Sequence, residues 1–362
     1  MNAPSPATDH SPFKPAAEAV PQDWPRLASY LAGQGLQLDT AATPRQFAGG
    51  FANLNYLVLI DGREAVLRRP PMGPLPPGAY DMGREHRILS RLHEQFPLAP
   101  RGLHHCDDAT VLGAPFQLTE FRRGLSVRDE LPAAWATQAG IGARLSKLLV
   151  QTLAELHRVD PAAVGLDSLG KPEGFLGRAV DGWRKRAALA FAISPAQQPL
   201  LDAVGAWLGA NPVPDRDVTL LHNDFKLDNL LLSADGLQPV ALLDWDQGTR
   251  GDGLFDLATL LSYWTQADDP AELQAMRQMP SAQPGFMTRR EVIEAYAQAS
   301  GRDLSEFRFH LSLANLKTAV IFQQLYQRYH SGETLDPRYA GFEGVAAALL
   351  QRAHDVAHHG IS

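Results

Sequence analysis

Two neighbouring stretches carry residues whose types and spacing could do chemistry. Leu221-His222-Asn223-Asp224-Phe225-Lys226-Leu227-Asp228-Asn229 runs into Leu230-Leu231-Leu232, and Val240-Ala241-Leu242-Leu243 ends on Asp244-Trp245-Asp246. Each reads as an apolar strand that delivers polar groups at one end. Asp224, Asn229 and Asp244 are the groups that metal-assisted phosphoryl transfer requires. One carboxylate accepts the substrate's proton, while an amide and a second carboxylate hold a hard divalent cation. Asp224 suits the base, or the orienter of an attacking hydroxyl. Asn229 offers an amide oxygen, Asp244 a charged oxygen and Asp246 a further one, the ligand chemistry a hard cation prefers. The competing reading makes them loop-capping residues of a hairpin; three residue types in order at the right spacing weigh against it.

Such strand ends need a scaffold. Residues 1–22, rich in Pro, Ala and Ser, are expected to form a disordered tail. A short helix is expected over 24–36, with Trp24, Leu27, Tyr30 and Leu31 on one side. Tyr56–Ile60 and Glu64–Arg68 read as strands joined by a tight Asp61-Gly62 turn. Just before them, the small-residue turn containing Gly49, Gly50 and Asn53 can fold backbone amides over an anion, a plain hairpin with a glycine bulge being the alternative. A helix is predicted over 82–96, with Ile88, Leu89 and Leu92 on its apolar face and Glu85 on its polar side. Strands are expected at Thr110–Leu112 and Pro115–Phe121 with a turn at Gly113-Ala114, and Arg122-Arg123-Gly124 breaks the pattern. Helices follow over 145–156, 175–186 and 201–208, then the motif hairpin, then helices over 254–264, 290–299, 304–330 and 342–356. Strands first and helices after indicate an α+β chain with two lobes: a β-rich lobe over 23–121, expected to bind a nucleotide, and a helical lobe over 122–362, expected to hold the catalytic and substrate-binding groups.

Composition narrows the function classes. The chain has 362 residues, 45% hydrophobic and 20% charged, with 33 basic against 40 acidic residues and a net charge of −7. That balance argues against bulk binding to nucleic acid or an anionic membrane. No run reaches the roughly 18 apolar residues of a membrane span, and the first residues lack a signal peptide's charged start and apolar core. Cys106 is the single cysteine, so no intrachain disulfide forms. A cytoplasmic location is expected.

The motif stretch resembles the catalytic loop of the aminoglycoside phosphotransferase and choline kinase-like family, and Asp244-Trp245-Asp246 with Gly251-Asp252-Gly253-Leu254-Phe255-Asp256-Leu257-Ala258 resembles its metal-binding segment and the helix after it. Val66-Leu67-Arg68-Arg69-Pro70-Pro71, Arg84-Glu85-His86-Arg87-Ile88-Leu89, Leu156-His157-Arg158-Val159-Asp160-Pro161, Gly165-Leu166 and Lys171-Pro172-Glu173-Gly174-Phe175-Leu176 are similar to the phosphotransferase-like domain associated with acyl-CoA dehydrogenases. The likeness runs from about residue 24 to the end. It implies a protein-kinase-like two-lobe fold, with a small β-rich lobe carrying one main helix and a larger helical lobe carrying the catalytic hairpin. It also implies ATP, or GTP in its place, with Mg²⁺, and γ-phosphoryl transfer to a small-molecule hydroxyl.

By resemblance, Asp224 is the catalytic Asp, and Asn229 and Asp244 are the metal ligands. Arg68 stands where a phosphate-contacting Lys is expected, with Glu85 as its helix partner; a guanidinium binds phosphate too, even bidentately. Residues 49–55 match the phosphate-covering loop, and Glu120-Phe121 the hinge whose backbone would bond adenine. Lys226, two after the catalytic Asp, could stabilise the migrating phosphoryl. Asn223 replaces a usual Gly and Gly253 a usual Pro. Ala79-Tyr80 stand where the subfamily often has a His. Asp256 is expected to support the catalytic loop's backbone.

Three imitations carry less weight. His157-Arg158-Val159-Asp160 mimics a kinase triplet but has Gly165, not Asn, five residues on; it reads as a helix C-terminus, where His157 and Arg158 suit the dipole. Asp244–Thr249 mimics a phosphatase nucleophile motif with its Thr one place late. His354 and His358 are four apart but read as a solvated helix face. The acceptor expected from the resemblance is a hydroxylated acyl compound, with a functional link to an acyl-CoA dehydrogenase. The rival from another class is a nucleotide-binding module that regulates a metabolic enzyme without catalysis.

Overall fold

Helix α1 (Trp24–Gly33) starts where the Asp23 carboxylate accepts the Arg26 N–H at 3.0 Å, with Pro25 in the first turn, where a missing N–H costs no helical bond. Strands β1 (Arg45–Gln46), β2 (Leu54–Ile60) and β3 (Arg63–Arg69) follow. Asp61 and Gly62, at φ 51° and 72°, make the two-residue turn between β2 and β3 that an Asp-Gly pair favours. Helix α2 (Met82–Leu92), capped by Asp81, then β4 (Gly102–Cys106), helix α3 (Ala109–Leu112) and β5 (Phe116–Glu120) complete this region. The computed structural model describes residues 12–48, 53–73, 80–236, 238–276 and 278–361. They divide into two units, the first ending at Arg122 apart from residues 94–98, which belong with the second.

In the first unit the five strands form an antiparallel sheet in the order β1-β2-β3-β5-β4. Alternation along β2, β3 and β5 sends Tyr56, Val58, Ile60, Ala65, Leu67, Phe116 and Leu118 to one face, where they bury Leu27 and Leu31 of α1 and Val111 and Leu112 of α3. Each fully buried Val, Leu, Ile or Phe among them contributes about 1.5–3 kcal/mol. Helix α2 packs against β4 and β5, burying Met82, Glu85, Ile88, Leu89 and Leu92.

Residues 12–22 depart from the expected disordered tail. Phe13 bridges to Phe47, Lys14 N–H donates to Gln46 O at 2.9 Å, and Val20 N–H donates to the buried Gln46 Oε1 at 2.7 Å. The segment lies along the exposed edge of β1, whose unpaired backbone groups recruit it despite its low hydrophobicity. Thr110–Leu112 is helical rather than extended. Asp108 caps α3 by accepting Thr110 N–H at 2.8 Å, and Gly113 closes it at φ 81°; bracketing residues outweigh the strand preference of Thr and Val over so short a run.

The second unit contains helices α4 (Ala133–Ala136), α5 (Ile141–Leu156), α6 (Phe175–Ala190) and α7 (Gln198–Ala210). Strands β6 (Val218–Leu221), β7 (Leu230–Leu232), β8 (Pro239–Leu242) and β9 (Thr249–Asp252) come next. Then follow α8 (Leu254–Tyr263), α9 (Ala271–Gln274), α10 (Arg289–Ser300), α11 (Phe307–His330) and α12 (Phe342–His359). Helix α11 is buried on nearly every side from Phe307 to Gln323 and packs against α6, α7, α8 and α12. A helix buried nearly all round belongs at the centre. Among the described residues no helix is long and apolar enough to cross a membrane.

The motif region also differs from the single hairpin expected. It holds two nested antiparallel pairs, β7 with β8 inside and β6 with β9 outside. Thr249-Arg250-Gly251-Asp252 has no apolar run and so gives no strand signal. Its glycine is required by crowding: a Cβ at Gly251 would lie 2.7 Å from the Phe175 ring and 2.9 Å from Leu221 Cδ1.

Candidate active site

The loop between β6 and β7 is irregular, so side chains and backbone clamps set its shape. His222 is fully buried. Its Nε2 donates to Leu243 O at 2.7 Å while its Nδ1 accepts the Asp224 N–H at 3.3 Å, which requires the neutral Nε2–H tautomer. Burial holds its pKa below the ordinary value, in keeping with that state. Asn223 sits in the left-handed region at φ 63°, and its Nδ2 donates to Gln247 O at 3.0 Å.

Beneath the loop lies Asp256 in the first turn of α8, with no exposed surface. Its carboxylate accepts the His222 N–H at 2.6 Å and the Asn223 N–H at 2.7 Å, the backbone support expected of it. His157, at the end of α5, adds a contact to Asp256 at 3.4 Å and a 2.6 Å bond with the Tyr296 hydroxyl. The helix C-terminus was foreseeable for His157; its burial against Asp256 was not. Burial raises the Asp256 pKa, but the His157 and backbone hydrogen bonds outweigh it and hold the carboxyl below its usual range.

Asp224 and Asn229 form a fixed pair. The Asn229 Nδ2 donates to Asp224 O at 2.8 Å and to Asp224 Oδ2 at 3.1 Å. Lys226 Nζ meets the same Oδ2 at 2.5 Å, stands 3.8 Å from Asp228 Oδ1, and lies 5.2 Å from the centre of the Tyr263 ring. Burial disfavours the ammonium, but Asp224 and Asp228 outweigh it and raise its pKa above the ordinary value. Burial, with the charges of Asp224 and Asp244, pushes Asp228 up to about 6 against the pull of Lys226 and Arg128. Tyr263 is a wall of this site: burial and the Asp224 carboxylate raise its hydroxyl pKa.

Asp244 is tethered to the loop through the residue before it. The Leu243 N–H donates to Asn229 O at 2.8 Å, and the Leu243 carbonyl is the one His222 holds. Asp244 itself is left-handed at φ 68°, and half-buried Asp246 follows on the single 3₁₀ turn Trp245–Gln247. The structure thus brings Asp224, Lys226, Asn229 and Asp244 into one neighbourhood of the second unit.

In the first unit, Arg68 Nε on β3 pairs with Glu85 Oε2 on α2 at 3.0 Å, and Glu85 is only 3% exposed. Asn53 is buried at the bend before β2. The Glu120 carboxylate accepts from Arg122 Nη2 at 3.0 Å and from the Arg101 N–H at 3.1 Å, and its own N–H donates to Arg101 O at 2.8 Å. Phe121 lies 6.0 Å from the Phe47 ring. Gly49, Gly50 and Ala79 lie outside the described residues; Tyr80 is at φ 60°.

Lys317 was not singled out from the sequence. It is 3% exposed on α11, and its Nζ donates to Asn223 O and, at 3.3 Å, to Thr259 Oγ1. The one charged residue between Leu311 and Phe322 was the available signal.

A lysine-paired carboxylate, an asparagine bonded to it and a second carboxylate on the adjoining segment stand together in the second unit. Residues 43–308 match the model of the Phosphotransferase enzyme family, and the protein belongs to that family. It is 31% identical over 320 residues to acyl-CoA dehydrogenase family member 10 of Mus musculus, covering 87% of this chain but 29% of that protein. Among solved structures it is similar to a candidate aminoglycoside phosphotransferase of Ralstonia eutropha JMP134, with a TM-score of 0.74 and 22% identity over 93% of this chain and 98% of the other. It is also similar to a thermostable mutant of aminoglycoside phosphotransferase APH(4)-Ia, in ternary complex with AMP-PNP and hygromycin B (TM-score 0.55, 16% identity, 92% and 99% covered). These likenesses establish the protein-kinase-like fold of the aminoglycoside phosphotransferases.

Proposed function

We propose that the protein transfers the γ-phosphoryl group of ATP, with Mg²⁺, to the hydroxyl of a small molecule, and that the acceptor is a hydroxyacyl compound. The carrying observation is the Asn229 side chain. Its NH₂ is engaged by the backbone and carboxylate of Asp224, so the amide oxygen is turned away from the base, as a metal ligand requires. With the Asp244 carboxylate on the adjoining segment, this is an oxygen donor set that fits a hard cation. Asp246 is the further candidate. The bound ion supplies charge neutralisation on the phosphate oxygens.

The chain's own residues do the rest. Asp224 accepts or orients the acceptor proton, and Lys226 meets the charge on the migrating group. In the first unit, Arg68 contacts phosphate, held in place by Glu85. Gly49, Gly50 and Asn53 cover the phosphates, and the backbone of Glu120-Phe121 reads the base. The first unit is accordingly the nucleotide-binding lobe and the second the catalytic lobe. The AMP-PNP in the APH(4)-Ia complex supports an adenine nucleotide. The mouse relative's name supports an acyl substrate and a functional link to an acyl-CoA dehydrogenase.

The test is incubation of the protein with Mg-ATP and a metabolite extract, followed by mass spectrometry, then a defined series of hydroxy acids and hydroxyacyl-CoA thioesters. A new species heavier by one phosphoryl group is expected, within the hydroxyacyl series. No phosphorylated product from hydroxyacyl compounds, sugars or amino alcohols would instead favour a non-catalytic nucleotide-binding module.

A further inference from the structure

Lys317 is an ammonium buried on two neutral oxygens, Asn223 O and Thr259 Oγ1, with the Phe255 ring 5.2 Å away. Burying a charge without a bonded counter-ion is costly, and a methionine would fill the same volume without that cost. Helix packing therefore gives no account of it.

Its target does. The Asn223 carbonyl belongs to the peptide that joins Asn223 to Asp224. The N–H of that peptide donates to His222 Nδ1 at 3.3 Å, and its carbonyl accepts from Lys317. One residue back, the Asn223 N–H is held by Asp256. Asn223 needs such clamps, because φ 63° is a conformation L-residues rarely adopt and its Asp256 bond fixes only one side. We propose that Lys317 is a positioning residue for phosphoryl transfer, its ammonium fixing the Asn223–Asp224 peptide plane and so the direction in which the Asp224 carboxylate points. This rests on Asp224 being the base.

The charged groups around Lys317 are Asp224 and Lys226 on the loop and Asp256 on α8. Burial and Lys226 lower its pKa, the two carboxylates raise it, and it settles at about 8. Lys317 is thus protonated at neutral pH, and its hold on the Asn223 carbonyl weakens from a charge-assisted to a neutral hydrogen bond as the pH rises through about 8.

The experiment compares the full chain with Lys317→Met, Lys317→Arg and Asp224→Asn, reading Mg-ATP turnover with water as acceptor, Mg-ADP affinity by calorimetry, and thermal unfolding. Lys317→Met should lower kcat by roughly 10–100-fold, the scale of a misplaced catalytic group, while KM for ATP and Mg-ADP affinity stay within about twofold. The wild-type kcat profile should fall on the alkaline side with an apparent pKa of about 8, and Lys317→Arg should retain activity and lose that limb. A folded Lys317→Met variant within about threefold of wild type, while Asp224→Asn is inactive, overturns the proposal and leaves the base assignment standing. Unchanged turnover in Asp224→Asn removes the base assignment instead. Should Lys317→Met not fold, Lys317→Leu is read in its place, and a folded variant within about threefold of wild type overturns the proposal.

Discussion

Two cation–carboxylate pairs, one in each unit, are built in different ways. Arg68 and Glu85 stand on regular elements, β3 and α2, seventeen residues apart, and meet because the apolar face of α2 packs onto the sheet. Lys226 and Asp224 are two residues apart in an irregular loop, and their direction depends on clamps from elsewhere: Asp256 and Lys317 on helices, His222 on the Leu243 carbonyl. The first pair inherits rigidity from secondary structure. The second has to import it, through buried polar groups whose loss leaves unsatisfied partners. Damage at a distance should therefore disturb the second pair far more than the first.

The comparison is sharpest at Asp256. Asp256→Ala strands two backbone N–H groups and His157 in the interior, and should cost about 3–5 kcal/mol in urea unfolding, as breaking a buried charged network does. The same measurement on Glu85→Ala should give a smaller loss, since Arg68 is partly exposed and can rehydrate; equal losses would erase the distinction drawn above.

Asp224→Asn comes next, with kcat lowered at least roughly 10²-fold while calorimetric Mg-ADP binding persists. Arg68→Met should act on binding rather than chemistry, raising KM for ATP by about tenfold, with Arg68→Lys milder because it keeps charge but not the planar fork. A fall in kcat from Arg68→Met as large as that from Asp224→Asn would contradict separate roles.

The smallest effect is on acid stability, and it should appear in both units. Burial lowers the pKa of His157 and His222 in the second unit and of His86 and His104 in the first, His86 to about 4. Each binds its proton more weakly folded than unfolded, so stability is intact above the ordinary histidine pKa near 6.5 and declines as the pH falls below it. Calorimetric Tm should drop steadily from pH 6.5 towards 4, and His86→Gln should flatten the slope; a Tm unchanged over that window would mean these imidazoles are not held neutral.

What the amino-acid order determined by itself was local. The Asp61-Gly62 turn, the long helix expected over 304–330 and the order Asp224, Asn229, Asp244 all depend on residues a few positions apart, whose preferences survive in any context. The α+β class followed from the sequence of such elements. Tertiary structure decided what depends on contacts between distant residues: the pairing of β6 with β9, the seating of residues 12–22 on the β1 edge, His157 against Asp256, and Lys317 on a carbonyl 94 residues away. A lysine in a helix reads as solvated until the helix is known to be central, because its environment is a property of the packed chain. The groups proposed to perform the chemistry were legible in the sequence; the contacts proposed to aim them were not.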